Sequence, residues 1–396
     1  MKVLNHMLHI YLFILSLLLV SCTNQSNDIR TGADQMQRYL PLIEGQSIAI
    51  VANHTSEING THLVDTLLSI ADEQFEIKII QKVFVPEHGF RGDFDAGASV
   101  SDDIDPVTGI SIVSLYGKHK KPNPEDFEDV DLVLLDLQDV GVRFYTYIST
   151  LHYVMEACAE NSVPLLVLDR PNPNGGFVDG PILEEEHSSF IGMHPIPVVY
   201  GMTIGELARM INGEGWLANN VKCDLTVIPC ANYKHSLPYV LPVSPSPNLP
   251  NKHSILLYPS TCFFEGTVIS EGRGTMMPFE IFGHPELPGE FSYTPVSIPG
   301  MSTYPKLKGE ECFGKDLRTF EPEEGWKQLY LHWLIETYNS FPDQDNFFIP
   351  FFEKLSGTNT LREQIIGGLS ADEIRESWKS DLEEYNSMRM QYLLYE

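Results

Sequence analysis

Asp131-Leu132-Val133-Leu134-Leu135-Asp136-Leu137-Gln138-Asp139 has an unbroken apolar centre and a polar exit. A run of this kind is a strand covered on both faces, as in a parallel sheet. Working outward, Ser47 to Ala52 before Asn53-His54, Phe75 to Val85 before Pro86-Glu87-His88, and Pro164 to Leu168 before Asp169-Arg170-Pro171 have the same character. Between them lie helical patterns. Leu63, Leu67 and Ile70 recur at helical spacing, and Thr146 to Asn161 reads as a helix. Thr203-Ile204-Gly205-Glu206 has the form of a capping box that opens a helix through about Asn212. Strands alternating with helices predict an α/β fold with a Rossmann-like, doubly wound sheet over residues 35–222. Residues 223–396 have a different texture. Five prolines fall between Pro238 and Pro250, and Phe279 to Pro305 is again rich in Pro and Gly. Short β runs at Leu225–Ile228 and Phe291–Ile298, and helices at Trp326–Asn339 and Ala371–Tyr392, predict a smaller α+β domain that completes a cleft.

With 396 residues the chain is long enough for two domains. Its formal charge of -28 disfavours nucleic acid and anionic membrane surfaces as electrostatic partners. Lys2 precedes an apolar stretch, Leu8–Val20, which is shorter than the ~20 residues a membrane helix needs but suits a signal peptide. Leu19-Val20-Ser21-Cys22 resembles a bacterial lipobox. Residues 1–21 are therefore expected to be a leader, with Cys22 lipidated and residues 22–34 a tether. That predicts an exported lipoprotein anchored at a membrane and facing the periplasm or the cell surface. The other five cysteines show no C-x-x-C and no zinc spacing; Cys223 and Cys230 either pair or, with the rest, stay buried thiols. No metal or other cofactor is called for.

In an open α/β sheet, ligands sit at the carboxyl ends of the strands. No G-x-G-x-x-G follows a candidate strand, and P-loop and G-x-S-x-G motifs are missing, so the scaffold alone does not imply a dinucleotide site or an esterase. Glu87-His88 is the best acid/base candidate, because a carboxyl group at a partly desolvated strand end can hold a proton for transfer. Gln138, Asp139, Arg143 and Tyr145 crowd a second strand end, and Asp169-Arg170 a third. Amides, carboxylates and aromatic faces suit a polyhydroxylated ligand, and Arg143 could bind a carboxylate with two parallel bonds. Glu265, Glu271 and Arg273 come from the second half. On a single regular strand, Glu265 and Glu271 would lie about 20 Å apart and could not act as a pair.

Four segments taken together, Pro86–Gly92, Asp136–Tyr147, Asp169–Pro173 and Glu265–Thr275, resemble the exo-β-N-acetylmuramidase family, and the similarity runs from about Leu40 to the C-terminus. The resemblance implies a glycoside hydrolase that releases terminal N-acetylmuramic acid from the non-reducing end of peptidoglycan fragments, at a cleft between two subdomains. It implies Glu87 as general acid, with His88 beside it, and Asp139, Glu265 or Glu271 as the second group. That group would be a nucleophile about 5–5.5 Å from the acid or a base about 6.5–9.5 Å away, unless the substrate's own acetamido group attacks. Arg143 or Arg273 would take the lactyl carboxylate, with Gln138, Tyr145, Asp169 and Arg170 as further substrate contacts. A lipid-anchored muropeptide-binding protein without activity and an acyl hydrolase are the two other readings.

Overall fold

The computed structural model describes residues 28–71, 79–87, 89–91 and 103–396. The leader, Cys22, most of the tether, and His88 lie outside the described residues. Helix α1 (Met36–Ile43) precedes β1 (Ser47–Ala52), and a hairpin of β2 (Glu57–Ile58) and β3 (Thr61–His62) leads into α2 (Leu63–Ala71). Then come β4 (Ile79–Val85), β5 (Asp103–Ile104), β6 (Ser111–Ser114), β7 (Leu132–Asp136), α3 (Tyr147–Asn161), β8 (Leu165–Leu168), α4 (Ile204–Glu214) and β9 (Leu225–Ile228). They form one sheet in the order β5-β6-β4-β1-β7-β8-β9. All neighbours are parallel except the β5–β6 edge pair. Omitting β5, this is the strand order of dinucleotide-binding sheets, with the direction of winding reversing between β1 and β7.

Apolar side chains cover both faces of the sheet, as the unbroken runs predict. Ile48, Ile50, Leu132 and Leu134 pack with α1 and α2, while Ala49, Val51, Val133 and Leu135 point to the other face, against α3 and α4. The capping box forms as its spacing predicts: Thr203 Oγ1 accepts from the Glu206 amide, and the Glu206 carboxylate accepts from the Thr203 amide at 2.9 Å. Those bonds satisfy two of the orphaned amides at the start of α4.

The second half supplies α5 (Lys252–Thr261), an antiparallel sheet of β10 (Ile281–His284), β12 (Cys312–Asp316) and β11 (Phe291–Tyr293) in that spatial order, and α6 (Leu331–Ser340). Short helices α7 (Phe352–Ser356), α8 (Thr360–Ile366) and α9 (Ala371–Ser377) and the longer α10 (Lys379–Arg389) come last. The halves share one apolar core that runs from Leu135 and Val167 of the main sheet to Phe263, Phe352 and Tyr385. Four expectations need correction. Leu225–Ile228 belongs to the main sheet, because every residue from Leu165 to Leu168 finds a parallel partner there, so the sheet extends past residue 222. The expected strand Phe291–Ile298 stops at Tyr293, ahead of Pro295. The helix expected from Trp326 begins at Leu331. The one expected over Ala371–Tyr392 is broken at Trp378 into α9 and α10. Cys158, Cys223, Cys230, Cys262 and Cys312 are free and buried, so Cys223 and Cys230 are not paired.

At the carboxyl ends of β7 and β8, Arg170 grips Asp136 with two bonds, Nε to Oδ1 at 2.5 Å and Nη2 to Oδ2 at 2.8 Å. Both side chains are buried. Removing one partner strands the other charge, so Asp136→Ala is expected to lower the unfolding free energy by about 3–5 kcal/mol, measured by denaturant titration.

Candidate active site

The polar strand ends fall into two kinds. Those of β1, β7 and β8 are internal. Asn53 donates to the Tyr147 hydroxyl at 2.6 Å and accepts from the Thr55 amide and hydroxyl. Gln138 donates to the carbonyls of Asp139 and Pro171, both at 2.8 Å. The Asp139 carboxylate accepts from the Gly141 amide at 2.6 Å and from the Tyr200 hydroxyl. Asp169 accepts from the Gly205 amide and from the hydroxyls of Thr203 and Tyr395. The proline-rich loop then closes over the rim. The Pro245 carbonyl takes the Tyr145 hydroxyl at 2.7 Å, and His54 Nε2 lies 2.9 Å from the Ser244 carbonyl. The crevice where a dinucleotide would lie is thus filled by the chain itself.

The strand ends of β4 and β6 are different. Glu87 after β4 and Tyr116 after β6 face a cavity of about 160 Å³, together with Tyr145, Thr146, Asn248, Tyr258, Glu265, Arg273 and Phe279. The Thr146 hydroxyl donates to Glu87 Oε2 at 3.2 Å. Burial and the neighbouring Glu87 carboxylate raise the Tyr116 pKa, so the phenol stays a hydrogen-bond donor.

From the other side, Arg273 sits between Gly272 and Gly274, whose φ angles of +83° and +79° set the turn that aims it. Its Nε and Nη2 both donate to Glu265 Oε1, at 3.0 and 2.6 Å, and its Nε lies 3.5 Å from Glu271. Burial opposes the cation, but the two carboxylates outweigh it and hold the Arg273 pKa above its ordinary value. Glu271 is buried behind Arg273, with Lys306 Nζ 2.9 Å away. Lys306 directs its hydrogens to the carbonyls of Phe264, Thr267 and Ile269, so its link to Glu271 is an ion pair without a hydrogen bond.

This two-part chain has known relatives. The family descriptions of exo-β-N-acetylmuramidase NamZ match residues 48–253 (N-terminal part) and 256–395 (C-terminal part). The chain belongs to the NamZ exo-β-N-acetylmuramidase family. The peptidoglycan β-N-acetylmuramidase NamZ of Bacillus subtilis (strain 168) is 38% identical, covering 94% of this chain and 93% of that protein. Two crystal structures of DUF1343 family proteins from Bacteroides fragilis NCTC 9343 are similar throughout. One is 46% identical with a TM-score of 0.86, the other 28% identical with a TM-score of 0.80, and each comparison covers 93% of this chain and 99% of the other. The seam between the family's two parts falls at the start of α5, beyond the boundary expected at residue 222.

Of the residues singled out in the sequence, Glu87, Tyr145, Glu265 and Arg273 meet at the cavity, and Glu271 backs it. Glu265 lies in a short helical turn, Cys262–Gly266, so no regular strand separates it from Glu271, and both reach the same guanidinium. Arg143 does not line this cavity. It is fully buried and donates to four carbonyls, those of Pro181, Ile196, Leu355 and Ser356. With no carboxylate among those partners, burial pushes its pKa down to about 9. Gln138, Asp169 and Arg170 likewise lie outside the cavity lining and bond within the fold, and Asp139 accepts from the Gly141 amide in its own loop. His88 lies outside the described residues. Tyr116, Thr146 and Asn248 do not stand out in the sequence; Tyr116 comes after a strand whose first residues, Ser111 and Ile112, carry only weak apolar patterning.

Arg143→Ala leaves four buried carbonyls without a donor and is expected to cost at least ~3 kcal/mol of stability, read from chemical denaturation. Asp139 is pushed by burial from 3.8 up to about 6. Its ionised form therefore costs stability above pH ~6, on the order of 3 kcal/mol, and that cost disappears as the pH falls below about 4. Wild type should gain stability relative to Asp139→Asn as the pH is lowered from about 7 to about 4, measured by parallel denaturant titrations.

Proposed function

We propose that this protein hydrolyses the β-glycosidic bond of a terminal, non-reducing N-acetylmuramic acid in peptidoglycan fragments, with Glu87 as general acid. The observation that carries this reading is the meeting of Glu87 from the main sheet with the Glu265–Arg273 pair from the second half in one small cavity. Membership of the family, and the activity named for its Bacillus subtilis member, support the substrate class.

The chemistry is set by the groups present. Glu87 gives its proton to the glycosidic oxygen as the bond from that oxygen to the anomeric carbon breaks. Water then adds at the anomeric carbon and returns a proton to the carboxylate. Thr146 and Tyr116 orient the acid. Of Asp139, Glu265 and Glu271, only Glu265 lines the cavity, so it is the second carboxylate in this scheme. Arg273 holds Glu265 in place with two hydrogen bonds to Oε1. Its Nη1 makes no hydrogen bond to the described residues and is the donor assigned to the lactyl carboxylate, the group that distinguishes muramic acid from glucosamine. A cavity of about 160 Å³ is smaller than the ~300 Å³ at which pockets for drug-sized ligands begin, which suits a single sugar ring and exo action.

The same proposal keeps the enzyme outside the cytoplasm, tethered at Cys22. That part rests on the leader sequence, whose residues lie outside those described.

The test is release of nitrophenol from the para-nitrophenyl β-glycoside of N-acetylmuramic acid. Turnover by wild type with a loss of at least ~10²-fold in Glu87→Gln is expected. Unchanged turnover in that variant removes Glu87 from the acid role. Arg273→Ala should erode the preference for the muramic over the glucosamine glycoside, compared as kcat/KM.

A further inference from the structure

Outside the cavity, two of its lining residues continue into a cluster to which the proposed chemistry assigns no role. Tyr116 leads directly into Gly117-Lys118-His119-Lys120-Lys121, and Ile191 is preceded by Phe190. The two segments meet. The rings of Tyr116 and Phe190 have centroids 6.4 Å apart, Tyr153 of α3 lies nearly parallel to Phe190 at 6.2 Å, and Lys120 Nζ stands 4.4 Å from the centre of the Phe190 ring. Tyr116, Tyr153, Phe190 and Lys120 are all partly exposed. A run with three lysines is unusual in a chain with 26 basic and 54 acidic residues. Within it, Lys121 is committed to Glu156 and Glu160 at 2.6 and 2.7 Å, and His119 Nε2 is 3.5 Å from Asp126. Lys120 instead lies over the aromatic group.

We infer that the Tyr116–Phe190–Tyr153 cluster with Lys120 is the subsite for the leaving-group side of the glycan: the aromatic surface takes the first sugar beyond the scissile bond, and Lys120 takes the anionic lactyl group of the next muramic acid. The inference rests on the proposed function and adds to it a specificity for longer, anionic glycan. The cavity holds about one ring, so the rest of the chain must leave past its rim. Glu87 protonates the bond that joins the two parts, and Tyr116 stands beside Glu87. The sugar that departs therefore emerges next to Tyr116. The C–H face of a pyranose is apolar and slightly positive, which suits the negative face of an aromatic ring. In an alternating glycan the sugar after a muramic acid is a glucosamine with no charge, and the one beyond it carries a carboxylate. A cation past an aromatic surface matches that order.

The test compares kcat/KM for three substrates: the para-nitrophenyl glycoside, the disaccharide of muramic acid β-1,4-linked to N-acetylglucosamine, and the trisaccharide with a second muramic acid at the reducing end. For Phe190→Ala the disaccharide-to-chromogenic ratio is expected to fall about tenfold, mainly through KM. For Lys120→Gln, a surface change that spares the ring, the trisaccharide-to-disaccharide ratio should fall about threefold to fivefold and the difference should fade at high salt. Ratios unchanged in both variants, with wild type active on all three substrates, overturn the subsite and leave the proposed function standing. So does a loss in Phe190→Ala that is equal for all substrates and accompanied by no change in Lys120→Gln. A wild type inactive on all three overturns the proposed function and the subsite together.

Discussion

A buried ion pair sets the frame of this molecule. Asp136 and Arg170 lie at adjacent strand ends, both out of solvent, and each is the other's main compensation for the loss of water. The next residue along, Asp169, extends the same arrangement. It caps the entry to α4 and accepts a hydrogen bond from Tyr395, almost at the C-terminus. Burial pushes the Asp169 pKa up to about 7 even against those hydrogen bonds, a measure of how completely water is excluded. The residues directly at the carboxyl ends of β7 and β8 are in consequence a polar core.

That core decides where the cavity lies. In a dinucleotide-binding sheet the ligand occupies the crevice beside the point where the winding reverses. Here that crevice is closed by Asn53, Tyr147 and the loop around Pro245. Space remains to one side, above β4 and β6, and the second half of the chain covers it. Arg143 locks the two halves in place by bonding to Pro181 and Ile196 on one side and to Leu355 and Ser356 on the other. A fixed seam means that Glu87 and Arg273, from opposite halves, are positioned before a ligand arrives. Under the proposed function, charge preorganised in this way would stabilise the transition state without reorganisation at the moment of reaction.

Much of this is legible in the order of residues. The alternation of apolar runs and helical spacing predicts the parallel sheet, and the capping box marks the start of α4 to the residue. Glu87 stands out because a proline ends its strand and leaves the carboxylate at the carboxyl end of the sheet. Arg273 and Glu265 are also legible as charged residues in a glycine-rich turn. Other residues singled out in the sequence lie apart from this cavity for a shared reason. Arg143, Gln138, Asp169 and Arg170 have the composition of a sugar-binding site, yet each spends its hydrogen bonds on backbone or on a neighbouring side chain. Composition reports which bonds a residue can make and is silent on whether those bonds are already made. Tyr116 and Thr146 are invisible at that level, because a lone tyrosine or threonine carries no such signal.

The sequence by itself marked the buried parallel strands, the helices between them and Glu87 as an acidic residue at a strand end. These are properties of contiguous residues, because apolar periodicity and capping act over one or two turns of chain. Only the tertiary structure decided which of the charged residues face the cavity. Burial and partner choice depend on segments far apart, as with Arg143 and the carbonyls of Leu355 and Ser356, more than two hundred positions away. A buried guanidinium and one poised for a ligand are the same residue in sequence; they differ only in what the fold places within reach.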